Sequence, residues 1–416
     1  MTLKTKNNWQ TKKLGEVCWE VKKLGEVCEI ERGSSPRPIK SFLTDSPKGI
    51  NWIKIGDTKG VTKYIHQTKE KIKPEGARRS RIVNDGDFIL SNSMSFGRPY
   101  IMKTMGCIHD GWLVLREKEP NIDKDFLYYV LSSDLIYKQF NNLAAGSTVR
   151  NLNIDLVKSV KIPLPPLPEQ KRIVAILDEA FVAIATAKEN AEKNLQNARE
   201  LFESYLQSVF ANPGDGWEEK TLGKVCSDFL QGINTATDKT VFVNSGIPIF
   251  QAKEIGIDKL ELGNCKFITQ DKYEAAAERY KPQIGDILYN NIGSSMGRSI
   301  EVVWDYPFTI AWNVMRIIPN RDKTIPKFLN YLLQSPIIFK SILNKAKGVG
   351  MPFISKKDLI EIVVCYPSLS EQKPIVSKLD ALSAETQKLE AIYQQKLADL
   401  EELKKSILKK VFEGEL

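Results

Sequence analysis

Leu164–Val174 reads LPPLPEQKRIV and Tyr366–Val376 reads YPSLSEQKPIV, so one helix-opening motif occurs twice in the chain. Glu371 follows Glu169 by 202 residues (371 − 169), which is close to half of the 416-residue chain. Proline suits the first turn of a helix, where its missing N–H is not needed, and glutamate suits the positive end of the helix dipole. The motif therefore predicts two long helices at equivalent positions of a duplicated unit.

The repeat extends over most of the chain. Trp19–Cys28 matches Trp217–Cys226 at an offset of 198 (217 − 19), and Gly86–Ile89 matches Gly285–Leu288 at an offset of 199 (285 − 86). A slowly drifting offset is expected where small insertions fall in loops. The one departure is Trp9–Cys18, an extra copy of the opening decapeptide, which we interpret as a local duplication.

Each unit begins with a mixed part. Short runs rich in β-branched and aromatic residues, such as Ile50–Ile55, alternate with Gly, Asn and Asp turns and predict strands. Phe126–Phe140 and Pro326–Asn344 are predicted helices. The mixture indicates an α+β globule in each unit.

Each unit ends in a predicted helix of about 40 residues, or ~60 Å at 1.5 Å per residue. Positions that step by three and four residues from Ile173 to Tyr205 are rich in alanine, and the equivalent positions from Ile375 to Ile407 are rich in leucine and tyrosine. Small residues on one helix leave room for large ones on its partner, and chain order favours an antiparallel pair. The alternative is an ordinary helical hairpin packed onto a core.

Composition favours a nucleic-acid partner. The formal net charge is +9, which suits a polyanion, although a merely basic protein is equally compatible with charge alone. The six cysteines form no CxxC pair, so zinc sites and disulfide frameworks are not expected. The start of the chain lacks a signal-peptide pattern and no apolar run approaches a membrane span, so we expect a cytoplasmic protein without membrane contact.

The motifs of catalysis are missing from the sequence. The two histidines, His66 and His109, have no counterparts in the other half, and neither GxxxxGK[ST] nor GxGxxG occurs. The sequence therefore predicts a binding protein with no catalytic residues and no metal ligands. An enzyme of unrecognised type and a coiled-coil scaffold with incidental basic charge are the competing hypotheses.

Turns that combine amide, hydroxyl and guanidinium groups are the candidate DNA contacts, since asparagine can bond adenine, and arginine can bond guanine or phosphate. A solvated polar loop is the alternative for each. The candidates in the first half are Lys54, Arg78, Arg79, Arg81, Asn92, Ser93, Ser95, Arg98 and Arg150. Those in the second half are Gln251, Asn290, Asn291, Ser294 and Arg298. A shared scaffold with different contact residues would let each half recognise a different sequence.

The two-unit layout, the LPEQ and LSEQ helix starts, and the WxxxxLGxV openings together resemble the specificity subunit of type I restriction–modification enzymes. The resemblance implies two target recognition domains that each read half of a split double-stranded DNA site. It implies long helices that separate the domains and dock two methyltransferase subunits, through which restriction subunits join. S-adenosylmethionine and ATP would bind those partners, and this chain would hold no cofactor and catalyse nothing.

The resemblance also implies domain boundaries and a full fold class. The expected fold is α+β, with two tandem α/β recognition domains separated by a pair of long antiparallel coiled-coil helices in a pseudo-twofold repeat. The expected segments are an N-terminal segment 1–28, recognition domains 29–150 and 227–352, and helical regions 151–226 and 353–416. Five residues match the family motif and are expected to organise helix ends and partner docking: Pro168, Glu169, Gln170, Glu371 and Gln372.

Overall fold

The computed structural model describes residues 19–92, 97–118, 120–144, 151–256, 259–348 and 350–413. The chain divides into two compact units, one of residues 1–190 with 396–416 and one of residues 191–395. Two helices of 45 residues each cross this division, the central long helix (Leu167–Ala211) and the C-terminal long helix (Leu369–Glu413). Each unit therefore contains one half of each long helix. The duplicated decapeptide 9–18 lies outside the described residues.

The described part of the first unit contains two five-stranded sheets and a two-stranded ribbon. One sheet has the order Cys28–Arg32, Trp112–Glu117, Phe88–Ser91, Pro99–Met102 and Tyr64–Ile65. The other has the order Leu43–Thr44, Glu70–Ile72, Ile50–Ile53, Gly106–Ile108 and Arg81–Val83. The ribbon pairs Glu20–Lys23 with Lys161–Leu164.

The described part of the second unit repeats this arrangement with fewer strands. Its larger sheet has the order Cys226–Gln231, Val314–Pro319, Ile287–Asn290 and Ser299–Glu301. Its smaller sheet has the order Lys266–Ile268, Ile247–Phe250 and Thr309–Ile310. The ribbon pairs Glu218–Thr221 with Val363–Tyr366.

The shorter α-helices also fall at matching positions. In the first unit they are Leu24–Val27, Pro74–Ala77, Lys124–Leu131, Asp134–Ala144 and Ile154–Ser159. In the second unit they are Leu222–Val225, Gln270–Glu274, Pro326–Gln334, Pro336–Lys345 and Lys356–Ile360. The 3-10 turns are Ile39–Ser41, Ile55–Thr58, Leu262–Asn264 and Glu278–Tyr280.

A central strand in each domain separates two cores. In Trp112–Glu117, Leu113 and Leu115 pack toward the helices, whereas Trp112 and Val114 pack into the second core. Alternate side chains of a strand point to opposite faces, so a strand covered on both faces is apolar at every position. This strand therefore holds the loops at its ends on a rigid support.

The long helices are antiparallel within each unit, as the sequence predicts. In the first unit, Lys188 pairs with Glu401 at 2.6 Å, and Lys404 lies 5.2 Å from the ring centre of Phe181. The partner number rises as the residue number falls, which is the signature of an antiparallel pair. In the second unit the same order links Arg199 to Glu390 and Tyr205 to Lys378.

The predicted seam between the long helices is wrong in places. Leu201 is 50% exposed and Leu403 is 46% exposed, although both lie on the predicted stripe. The buried residues at this end of the central long helix are instead Leu206 and Phe210. The prediction used a strict 3.5-residue repeat, and a helix with 3.6 residues per turn drifts away from that repeat unless it supercoils.

Two predicted helices are each divided in the structure. Phe126–Phe140 is interrupted at Ser132 and Ser133, where the Ser133 hydroxyl donates to the carbonyl of Val130 at 2.6 Å. Pro326–Asn344 is interrupted at Ser335, because Pro336 disfavours helical backbone in the residue before it. Among the described residues, every helix is too short or too polar to cross a membrane.

Candidate nucleic-acid interface

Several loops of the first domain converge at one edge, around Asp110. The Asp110 carbonyl accepts hydrogen bonds from Arg32 Nε and from Asn92 Nδ2, each at 3.0 Å. The Asp110 carboxylate accepts from the Ser35 hydroxyl at 2.8 Å, and Ser34 Oγ donates to the carbonyl of Arg79 at 3.2 Å. We call the described residues 32–37, 78–81, 92, 97–98, 109–112 and 151–152 the first loop edge.

The second domain builds an equivalent edge around Trp312. Gln231 donates to the Trp312 carbonyl and, at 3.1 Å, to Asn291 Oδ1. The amide of Ile354 donates to the Asn291 carbonyl at 2.9 Å, just as Leu152 donates to the Asn92 carbonyl at 2.9 Å. We call residues 231–238, 275–279, 291–295, 310–313 and 350–354 the second loop edge.

The first loop edge includes two arginines that no carboxylate of the described residues pairs with. Arg37 and Arg78 are exposed, and neither guanidinium has a hydrogen bond or ion pair among the described residues. By contrast, Arg81 pairs with Glu31 at 2.8 Å, and Arg79 lies 5.7 Å from the ring centre of Phe42. Free exposed guanidinium groups are suited to phosphate and guanine.

His109 and Asp110 lie next to each other at the tip of this edge, and His109 is neutral whereas Asp110 is anionic. Burial lowers the pKa of His109, and its Nδ1 accepts a hydrogen bond from the amide of Gly111 at 2.8 Å. The hydrogen bond from Ser35 lowers the pKa of Asp110. His109 is therefore an uncharged structural acceptor, and the Asp110 carboxylate is fixed by its neighbours.

Three predicted DNA contacts are buried. Asn92, Asn290 and Asn291 are 1%, 0% and 4% exposed. Asn290 Nδ2 donates to the Ala252 carbonyl at 2.7 Å, and Asn291 Nδ2 contacts the Ile354 carbonyl at 3.3 Å. A buried amide that bonds main-chain groups cannot reach a base edge, so these asparagines hold their loops in shape and the prediction of base contact is corrected.

Other predicted contacts have different surroundings. The Lys54 ammonium pairs with the carboxylate of Glu70. The backbone amide of Gln251 donates to Glu254 at 2.9 Å, and its side chain is half-buried. Ser294 is exposed in its turn, and Arg98 is exposed where the following strand begins. Ser93, Ser95 and Arg150 lie outside the described residues.

Arg298 points to a groove beside the long helices. The groove has a volume of about 700 Å³, and Arg199, Glu203 and Glu390 supply its other charged groups. Arg298 itself is exposed. Glu390 is already paired with Arg199 at 3.0 Å, so Glu203 is the remaining carboxylate of the groove, and contact of Arg298 with DNA stays a prediction.

Gln170 and Gln372 join each long helix to its own domain. Gln170 accepts from the amide of Asp123 at 2.8 Å and donates to the carbonyls of Pro165 and Asn121 at 2.8 and 3.1 Å. Gln372 repeats this with Ile325, Pro367 and Lys323 at 2.8, 3.1 and 2.9 Å. Both side chains are buried, so they organise the helix starts from inside and do not reach a partner's surface.

The acidic residues beside them act locally. Glu371 accepts from the backbone amide and the hydroxyl of Ser368 at 3.0 and 2.6 Å, which caps the C-terminal long helix. Glu169 pairs with Arg172 at 2.7 Å, and Pro168 is exposed in the first helical turn.

The sequence reasoning missed the centres of both edges. Arg32, Asp110 and Trp312 were not among the candidates, although each organises or tops its edge. No repeated signal marks them, because Trp312 stands where Asp110 stands (312 − 110 = 202) and the two side chains are chemically unrelated. The sequence signal that could have identified them is the lack of similarity between Asp110 and Trp312 at equivalent positions of the repeat.

The duplicated fold, with two loop edges that share a backbone and differ in side chains, is the fold of a two-domain binding protein whose domains have different binding surfaces. The model of the type I restriction modification DNA specificity domain matches residues 16–195 and 214–400. The chain therefore belongs to this family and is a specificity subunit with two recognition domains. Its membership gives no support to the hypothesis of a scaffold with incidental charge.

Curated relatives and solved structures agree with the family. The EcoBI specificity subunit of Escherichia coli is 25% identical over 361 residues, 80% of this chain and 72% of the relative. The MjaIX specificity subunit of Methanocaldococcus jannaschii is 23% identical over 434 residues, 99% of this chain and 94% of the relative. The HsdS subunit from Thermoanaerobacter tengcongensis has the same fold, with a TM-score of 0.59 and 24% identity over 96% of this chain and 97% of that one. A chain from a structure of the type I R-M system has a TM-score of 0.76 and 24% sequence identity, and the match covers 96% of this chain and 98% of that one.

Proposed function

We propose that this chain is the non-catalytic subunit that reads a bipartite double-stranded DNA target, one half with each loop edge. The observation that carries the proposal is the pair of edges with matching backbone hydrogen bonds and different side chains. Arg37 and Arg78 supply free positive charge at the first edge. Divergent side chains on a common frame allow two different half-sites to be read by one fold.

A domain exchange tests this function. Residues 227–352 are replaced by the corresponding domain of another specificity subunit, and methylated adenines are mapped in cells that express the full complex. We expect one half of the target to change while the other half and the methylation activity persist. A change in both halves would contradict the assignment of one half-site to each domain.

We further propose that two methyltransferase subunits dock along the long helices and that restriction subunits join through them. Leu201 and Leu403 are exposed leucines at equivalent repeat positions (403 − 201 = 202), one in each unit. A pair of equivalent apolar positions suits two copies of the same partner. Val182 and Ile392 add exposed apolar surface at 67% and 57%.

Leu201→Glu and Leu403→Glu test the docking surface. Each single variant should lose one methyltransferase subunit from the complex, and the double variant should lose both, as measured by native mass spectrometry. Gln207→Glu, at an exposed position six residues after Leu201 and therefore about 120° away around the same helix, is the matched control and should assemble normally. Full assembly of the double variant would rule out this surface.

The proposal places the chemistry on the partners. S-adenosylmethionine would bind the methyltransferase subunits and ATP the restriction subunits, in the cytoplasm, and the isolated chain would bind neither. Calorimetry with S-adenosylmethionine and with ATP should give no heat of binding to the isolated chain. Incubation with DNA, Mg²⁺, ATP and S-adenosylmethionine should give neither cleavage nor methyl transfer. Either activity in the isolated chain would overturn the non-catalytic assignment.

A further inference from the structure

Trp312 occupies in the second loop edge the position that Asp110 occupies in the first. Each residue presents its carbonyl to the side chain of an equivalent residue, Gln231 or Arg32. Two residues on, the amides of Val314 and Trp112 bond the carbonyls of Ala311 and His109 at 2.9 and 3.1 Å. The backbone tip is therefore the same in both domains, and only the side chain that it presents differs.

The close approach of a neighbouring glycine fixes this tip. A Cβ on Gly232 would lie 2.3 Å from the Ala311 carbonyl oxygen, and a Cβ on Gly33 would lie 2.1 Å from the His109 carbonyl oxygen. These distances are far inside van der Waals contact. The close packing of Gly232 against Ala311 therefore fixes the backbone that carries Trp312.

The Trp312 side chain is available to a ligand. It is 43% exposed, although tryptophan is usually one of the more buried residues. Phe353 and Met351 on the same edge are 38% and 64% exposed. The segment that carries them joins the edge through the Ile292–Phe353 bridge and through the hydrogen bond from Gly293 to the Pro352 carbonyl at 2.8 Å.

The two amide side chains that support the Trp312 tip, Gln231 and Asn291, are already engaged. Gln231 and Asn291 bond each other, and Gln231 also bonds the Trp312 carbonyl. Asn291 is buried as well, so it cannot reach a ligand. The exposed side chains of Trp312, Phe353 and Met351 therefore offer apolar recognition chemistry, next to the half-buried Asn313, whose Oδ1 has no hydrogen-bond partner among the described residues.

We propose that Trp312 contacts the C5-methyl group of a thymine in the second half-site and selects an A·T pair there. This inference rests on the proposed function. In the major groove the methyl group is the one apolar feature that distinguishes base pairs, and apolar side chains contact it. DNA is favoured over a protein partner because the equivalent first edge carries the free cations Arg37 and Arg78, which suit a polyanion.

Replacement of thymine by uracil tests the contact, since it removes only the methyl group. Once the target has been mapped from methylated adenines, each thymine of both half-sites is replaced by deoxyuridine, one at a time. Binding is measured with the complete methyltransferase complex. We expect one position in the second half-site to lose about fourfold in affinity, the value for one methyl group.

The variant Trp312→Ala should weaken binding to the thymine duplex by at least as much and should abolish the difference between thymine and uracil at that position. Asp110→Ala, the matched change in the first edge, should leave that difference intact. Thermal unfolding should show that Trp312→Ala still folds, with a modest loss of stability because the side chain is 43% exposed and the rest of it is covered.

The outcomes are separable. Sensitivity to uracil that persists in Trp312→Ala, or that is absent from the second half-site, overturns the methyl contact while leaving the proposed function intact. A loss of methyltransferase subunits from Trp312→Ala shows that the residue binds protein, which also overturns it. Failure of the wild-type complex to bind any duplex sequence-specifically refutes the proposed function as well.

Discussion

The two loop edges share a backbone and differ in chemistry. The first presents Asp110 and the free arginines Arg37 and Arg78, whereas the second presents Trp312 and Phe353. Matching hydrogen bonds to the carbonyls of Asn92 and Asn291 show that the support is common to both. Repeated residues in this molecule therefore maintain the frame, and unrepeated residues are the ones available for specificity.

The largest expected effect on stability comes from substituting the glycine that packs against the backbone of one loop edge at a time. Gly33→Ala places a methyl group 2.1 Å from the His109 carbonyl, and Gly232→Ala places one 2.3 Å from the Ala311 carbonyl. Each should destabilise its own domain by about 3 kcal/mol, since backbone must move to relieve the overlap. Denaturant unfolding of each variant measures the loss.

The controls for these variants are Gly56→Ala and Gly263→Ala, where an added Cβ meets nothing within 4 Å. They should change stability by less than about 1 kcal/mol. Equal losses in variants and controls would show that the carbonyl contacts do not support the edges.

The next effect compares one ion pair in two environments. Arg316 and Asp286 pair at 2.6 Å with side chains only 8% and 3% exposed, whereas the equivalent Arg116 and Asp87 pair at 2.9 Å and are 32% and 14% exposed. Asp286→Asn should cost about 3 kcal/mol because it leaves a buried charge without its anion. Asp87→Asn should cost about 1 kcal/mol, since Arg116 also keeps Glu31 at 2.9 Å. Urea unfolding should rank the two in this order, and the reverse order would refute the role of burial.

A smaller effect concerns the charge of the first edge. Arg78→Ala in the complete complex should reduce DNA affinity about fivefold and lower the slope of log affinity against log salt by about 1. Arg81→Ala should do less, because Glu31 already neutralises Arg81 at 2.8 Å. Binding measured at several salt concentrations gives both slopes. If Arg81→Ala changes the slope as much as Arg78→Ala, free charge is not what distinguishes the two residues.

The last effect concerns pH and is of similar size. Burial lowers the pKa of His109, so the unfolded chain binds a proton more readily than the folded domain below pH 6.5. The resulting stability is complete above pH 6.5 and is lost as pH falls. Between pH 7.5 and 5.5 the first domain should lose at most about 1.4 kcal/mol through this residue. Urea unfolding at both pH values, compared between wild type and His109→Gln, measures it. An identical pH dependence in both proteins would exclude His109 as the source.

The sequence predicts the framework of this molecule well because its signals are local. Pro168 and Glu169 mark a helix start through rules that hold in any helix, and the antiparallel long helices follow from chain order. The predicted buried seam between the long helices is wrong at Leu201 and Leu403, because a small error in repeat length accumulates along a long helix.

The candidate interface was predicted less completely. Repetition drew attention to Asn92 and Asn291, yet the repeat preserves them because they hold loops, which only their burial reveals. Trp312 and Asp110 escaped notice because their importance depends on loops brought together from distant parts of the chain. The domain boundaries and the roles of Ser93, Ser95 and Arg150 remain predictions.

The glutamines at the helix starts have a consequence for how such subunits diversify. Among the residues that the structure describes, Gln170 bonds only main-chain groups, those of Asn121, Asp123 and Pro165, and Gln372 likewise bonds only main chain. The carbonyl of Pro165 or Pro367 comes from the segment just before the long helix, so the joint requires only one backbone N–H and one carbonyl from the domain itself. We therefore expect that the side chains of a recognition domain can change, or the whole domain be exchanged, while the glutamine at the helix start keeps the same three hydrogen bonds.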